Sequence, residues 1–215
     1  MADTVPRPTE NANREGHGAA DPLVLHRWRL LDWRFLLPDP QPWTVGYGGA
    51  TESAMEGALR LLDPDAVLIE DEDGTSSRTF QVVLLSYPDS RLFQAAIGAV
   101  QPGGWLCVRA RRSLGTRRGP RTLLGWQRHL RRHGFQDVCV NWHAPTLDFP
   151  TRIVSVGSRA AVLDTLRRHK GIRFGRMKQC IGRMALNLGL FAAAIPEGTV
   201  TGRRPVEANM PRGHP

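Results

Sequence analysis

The sequence predicts an α/β domain built on a doubly wound, mostly parallel sheet. Two short continuous apolar runs, "DAVLIE" (Asp65 to Glu70) and "FQVVLLS" (Phe80 to Ser86), have the character of strands buried on both faces. They alternate with stretches of helical periodicity, and β, α, β, β, α, β is the order that produces such a sheet. Two later runs, "DVCVNW" and "TRIVSV", are separated only by "HAPTLDFP" and pair most simply as an antiparallel hairpin.

Taken in order, residues 1–21 hold no apolar stretch of the kind a secretory signal needs and are expected to form a disordered tail. In "LVLHRWRLLDWRFLLPDP", Leu25, Trp28, Leu31 or Asp32, and Phe35 recur at helical spacing until Pro38 ends the pattern. "PWTV" then reads as a brief strand, "VGYGGA" as a glycine turn, and Glu52 to Leu62 as a helix with Met55, Ala58, Leu59 and Leu62 on one face. After "FQVVLLS", Arg91 to Val100 is helical, "QPGG" is a tight turn using glycines where φ is positive, and "WLCVRA" is the next strand. Leu123, Trp126 and Leu130 share one face of a further helix that Gly134 ends. A helix begins at Ser158. From Phe174, the residues Met177, Ile181, Met184, Leu188 and Phe191 form an apolar stripe, with Gly175, Gly182 and Gly189 recurring every seven residues. Such a basic amphipathic helix docks on its own domain, on a partner chain or on a membrane surface, with its own domain as the default. The expected organisation is a tail over 1–21, an α/β domain over 22–157 and a basic helical extension over 158–215.

Composition narrows the function classes. The chain has 215 residues, 41% of them apolar, which suits one domain with extensions. Three cysteines are too few and too scattered for a disulfide framework or a zinc set, so a reduced cytoplasm is expected, with no metal. No apolar run reaches the length of about 18 residues that a spanning helix requires. The net charge of +9 raises the prospect of a polyanionic partner. Trp105 to Phe135 carries nine Arg and no acid, whereas Asp63 to Asp89 carries seven acids and one Arg. Aromatic residues are sparse in the basic stretch, which ranks nucleic acid behind a small molecule or peptide.

The run "AAIGAVQPGGWLCV", together with the closing hairpin, resembles the helix, turn and strand of the class I S-adenosylmethionine-dependent methyltransferases, over roughly Leu23 to Val156. The resemblance implies a Rossmann-like fold and S-adenosylmethionine as cofactor. It also implies a cofactor set of Gly46, Tyr47, Gly48 and Gly49 from the turn, Glu70 and Asp71 after the second strand, and Ser86. Here the motif's acid falls on Thr44 and its third glycine on Ala50. Only "DEDGTSSRT" separates the second run from the third, so one βα unit is missing. Tyr87 and His143, each following or ending a strand, are the candidate catalytic residues, His143 as a general base. The expectation is a methyltransferase-like protein of specialised metabolism, of the kind found in actinobacterial natural-product pathways. The alternative is a catalytically inactive relative serving as a partner subunit of another enzyme, with a homodimer through the C-terminal helix also open. His129 and His133, four apart on a helix, are read as a solvated basic face.

Overall fold

A computed structural model describes residues 22–42, 44–49, 53–69, 78–112, 119–147, 150–168 and 175–206. The tail, Glu70, Asp71, Ala50 and Phe174 lie outside the described residues. The first helical pattern forms α1 (Pro22–Leu30) and then a 3-10 turn (Asp32–Leu36). Next come β1 (Val45–Gly49), α2 (Ser53–Leu62), β2 (Val67–Leu68), β3 (Phe80–Ser86), α3 (Ser90–Ala99) and β4 (Val100–Arg111). The remainder is α4 (Leu123–Arg132), β5 (Gln136–Pro145), β6 (Pro150–Ser155), α5 (Arg159–Arg168), α6 (Gly175–Asn187), α7 (Phe191–Ala194) and β7 (Glu197–Arg203).

Local chemistry fixes several boundaries. The Asp89 carboxylate caps α3 by accepting from the backbone N–H groups of Arg91 and Leu92, and the Thr122 hydroxyl caps α4 by accepting from Gly125. Gly134, at φ +81°, lets the chain leave α4 in the left-handed region. "QPGG" is not a separate turn. It runs inside β4, with Gly103 at φ +78° and an irregularity in the pairing with β3 between Phe80 and Val82.

The strands form a seven-stranded sheet in the order β2-β1-β3-β4-β7-β5-β6. β2, β1, β3 and β4 are parallel neighbours, whereas β7 runs antiparallel to both β4 and β5. The hairpin of β5 and β6 is antiparallel as expected, but β6 lies at the edge and β7 closes the gap between β4 and β5. The segment from 158 onward is therefore not purely helical, because its "EGTVTGR" run is an interior strand of the sheet. Gly198 makes that insertion feasible. A Cβ there would lie 2.3 Å from the Asn141 carbonyl oxygen. Among the described residues no strand pairs beyond β2.

Alternation divides the core between the two faces of the sheet. On one face, Val83, Leu85, Leu106, Val108, Val140 and Val200 pack under α3, α4, α5 and α7. On the other, Val45, Tyr47, Val82, Leu84 and Cys107 pack under α1, the 3-10 turn and α2. Each fully buried Leu or Phe contributes roughly 1.5–3 kcal/mol of hydrophobic stabilisation. The face at His129 and His133 is solvated at His133, Arg131 and Arg132 and half-buried at His129, and the two rings also pack near Phe93, with centroids 4.5 and 5.2 Å from its own.

Candidate functional site

In an open α/β sheet, ligands meet the carboxyl ends of the strands where the winding reverses. Here that point lies between β1 and β3, whose last residues, Gly49 and Ser86, face each other in register. Gly49 has φ +95°, and a Cβ on it would lie 2.1 Å from the Ser86 carbonyl oxygen. Any other residue would both strain the backbone and force the strands apart. Immediately after Ser86, Tyr87 takes φ +52°, a left-handed conformation that a bulky side chain rarely adopts. Its N–H donates to the Arg109 carbonyl at 2.9 Å, and the Arg111 guanidinium carbon lies 5.7 Å from its ring centroid.

From this crevice a polar seam crosses the sheet on the α1/α2 face. Register aligns Ser86 with Arg109, Arg109 with Thr199, and Thr199 with Asn141, and His143 stands two residues farther along β5 on the same face. All five are buried. The Thr199 hydroxyl lies 2.9 Å from His143 Nε2, whereas His143 Nδ1 is buried without a hydrogen-bond partner. If the hydroxyl donates to Nε2, Nδ1 carries the ring proton; if Nε2–H donates, Nδ1 holds a free lone pair. Burial, and secondarily the Arg109 charge, pulls the His143 pKa down to about 4, so the ring is neutral at pH 7. Beside the seam, Glu197 accepts from Arg111 Nε and from the Leu147 backbone N–H, each at 2.8 Å, tying β4, β7 and the end of β5 together.

The glycine run departs from its expected role. Gly46, Tyr47, Gly48 and Gly49 belong to β1 and not to a turn. A Cβ on Gly46 would lie 2.8 Å from the Phe80 ring, and one on Gly48 would lie 3.0 Å from both the Ile69 carbonyl oxygen and Leu92 Cδ1. This chain's own side chains and backbone fill the spaces that those two glycines leave. The Tyr47 side chain is buried in the α1/α2 core, so it does not line the crevice. Thr44, in the place of the motif's acid, accepts from the Gln81 N–H through its hydroxyl at 3.0 Å. Of the implied cofactor set, Gly49 and Ser86 stand at the crevice, while Glu70 and Asp71 are beyond the described residues.

Tyr87 and His143 do not form one catalytic pair. β4 and β7 separate β3 from β5, a distance of about 14 Å at the usual strand spacing. Arg109 and Thr199 join the site although neither is among the candidates that the sequence offers. The alternation in "GTVTGR" is the signal for a strand that would have placed Thr199. Among the described residues no group of His, Cys, Asp and Glu is arranged to hold a metal ion.

No protein-family model matches the chain, and no curated protein sequence does. Among the solved structures similar to it are S-adenosylmethionine-dependent methyltransferases. One from Thermotoga maritima, described as a possible histamine N-methyltransferase, has 11% identity and a TM-score of 0.46, covering 85% of this chain and 92% of that one. One from Archaeoglobus fulgidus has 11% identity and a TM-score of 0.43, covering 85% of this chain and 94% of that one. Phosphoethanolamine N-methyltransferase 2 of Haemonchus contortus, in complex with S-adenosyl-L-methionine, has 11% identity and a TM-score of 0.42, covering 86% of this chain and 38% of its own. The fold is α/β, Rossmann-like and methyltransferase-like, as the strand order and the antiparallel β7 describe it. The chemistry rests on this chain's own residues.

Proposed function

We propose that this chain is a methyltransferase-like protein that binds a small molecule or peptide at its strand-end crevice and polar seam, with S-adenosylmethionine as cofactor. The observation that carries the reading is Tyr87, held at φ +52° directly after β3 at the point where the winding reverses. A left-handed tyrosine costs on the order of 1–3 kcal/mol and persists only where its surroundings impose it, which is a property of ligand sites. In this reading the Gly49 backbone and Ser86 would hold the methionine end, and Glu70, with Asp71 next to it in sequence, would accept from the ribose hydroxyls. When bound, the cofactor supplies an electrophilic methyl group.

The chain's own residues then have distinct tasks. Tyr87 and Arg111 border the crevice, and the Arg109 guanidinium lies in the seam close enough to His143 to act on its charge. A ligand atom that reaches His143 Nδ1 gains a hydrogen bond that the protein alone leaves unmade. Because its pKa is pulled down to about 4, His143 is a weak base, better suited to orienting a group than to abstracting its proton. A place in the cytoplasm and in specialised metabolism belongs to the same reading.

A second reading, a non-catalytic partner subunit, is favoured by one specific observation: Gly46 and Gly48 are accounted for by the packing of Phe80, Ile69 and Leu92. Calorimetric titration of the full chain with S-adenosylmethionine and S-adenosylhomocysteine separates the two. Saturable binding that Glu70→Ala abolishes supports the cofactor site. Heat of dilution alone, with the chain folded, assigns it to the partner-subunit class.

A further inference from the structure

The apolar stripe is expected to dock on its own domain by default; its last member, Phe191 on α7, is buried there, but the part carried by α6 is not. Met177, Ile181, Met184 and Leu188 are 55%, 57%, 64% and 60% exposed. The helix rests on α5 by its other side. A Cβ at Gly182 would lie 2.9 Å from Leu166 Cδ1, and Ala185 and Leu186 pack against the core there. The small residue brings the two backbones close and turns the large apolar side chains outward. Spacings of four, three and four put those side chains in one line along the helix.

Charge indicates what that line meets. Residues 159–190 contain eight Lys and Arg and a single acid, Asp164, and α6 itself has no acidic residue. Asp164 is engaged with Arg168 at 2.9 Å and Arg152 at 3.7 Å. A second copy of the chain would bring the same positive charge to the contact and be repelled. Beside the end of α6 lies a cleft of about 490 Å³, whose apolar lining from Leu124, Val140, Leu186 and Phe191 is joined by Arg131 and Arg159. A helix with apolar residues outward, cations along its length and no acid matches the way peripheral helices lie in the interface of an anionic bilayer.

We propose that the outer face of α6, with Arg183 of the same helix, docks on an anionic phospholipid surface. The docking is peripheral, since among the described residues no helix is long and apolar enough to cross a membrane. It is independent of the proposed crevice chemistry, because α5 and α6 pack on the opposite face of the sheet from the polar seam.

The test is flotation of the full chain with vesicles of phosphatidylcholine alone and of phosphatidylcholine mixed with phosphatidylserine. The expected result is flotation with the anionic vesicles only, lost as salt approaches about 1 M, where the screening length falls to about 3 Å. Ile181→Asp with Met184→Asp, at positions already exposed, is expected to leave the thermal melt unchanged and reduce flotation by at least about tenfold. Arg183→Glu, which leaves the apolar line intact, is expected to reduce it severalfold. Equal flotation of the wild type and both variants, or equal flotation on neutral and anionic vesicles, overturns the proposal. So does a dimer seen by light scattering that the Asp pair dissolves, since it would assign the face to a second copy.

Discussion

The hydroxyl of Thr199 stands 2.9 Å from Nε2 of His143, joining β7 to β5 across 56 residues of sequence. The bond fixes the imidazole in a buried site beside a cation, and the consequences are measurable as a dependence of stability on pH.

Because the folded His143 holds its pKa near 4, below the ordinary value of 6.5, the unfolded chain binds the proton more readily. The stability contributed by the neutral ring is complete above about pH 6.5 and is lost progressively as the pH falls toward about 4, by on the order of 3 kcal/mol. Urea unfolding at several pH values between these limits is expected to show that loss in the wild type and a smaller one in His143→Gln. Parallel profiles for the two proteins would remove His143 as the source.

Gly49→Ala is expected to destabilise the fold by roughly 2–4 kcal/mol, through left-handed strain and collision with the Ser86 carbonyl. Gly98→Ala, in an exposed position of α3 with open space around it, is expected to stabilise by about 0.5–1 kcal/mol. Chemical denaturation of both separates a required glycine from a dispensable one.

Glu197→Ala leaves the buried Leu147 N–H without its acceptor and Arg111 without its carboxylate. A loss of about 1–3 kcal/mol follows from the stranded donor. Glu197→Gln keeps an acceptor oxygen in place and is expected to cost less. Thermal melts of the two variants give the order directly.

Ending the chain after Ile195 is expected to abolish cooperative unfolding, because β4 and β5 have no ladder with each other once β7 is gone. Removing residues 1–21 is expected to leave the melting temperature within a few degrees of the full chain. Circular dichroism melts compare the two truncations, and a sharp transition in the first would show that the sheet tolerates a missing interior strand.

What the sequence made legible follows from the range over which each signal acts. β3 and α4 declare themselves through short-range patterns, an unbroken apolar run and a 3.6-residue period, and both formed where the patterns lie. The identity of β7 depends on partners far away: its "EGTVTGR" contains two glycines and follows a helical, basic segment, so nothing local marks it as interior. The glycines of β1 were visible, but their purpose was not, because Phe80, Ile69 and Leu92 meet them only in three dimensions. The α6 stripe was legible as a pattern, whereas the side that faces α5 is decided by Gly182 against Leu166. His143 was found as a strand-end residue. Its neutral state depends on burial and on Arg109, which a linear reading cannot supply.

The position of β7 also bears on how the molecule is made. A ribosome delivers β1 to β4 first and the β5–β6 hairpin next, yet neither group can join the other until Glu197–Arg203 has emerged. During synthesis the facing edges of β4 and β5 expose unpaired amides and carbonyls, which invite pairing with other nascent chains. Closure is thus a late event with large sequence separation, slow by its topology. The nascent protein therefore depends on protection of those two edges until the last strand seals them.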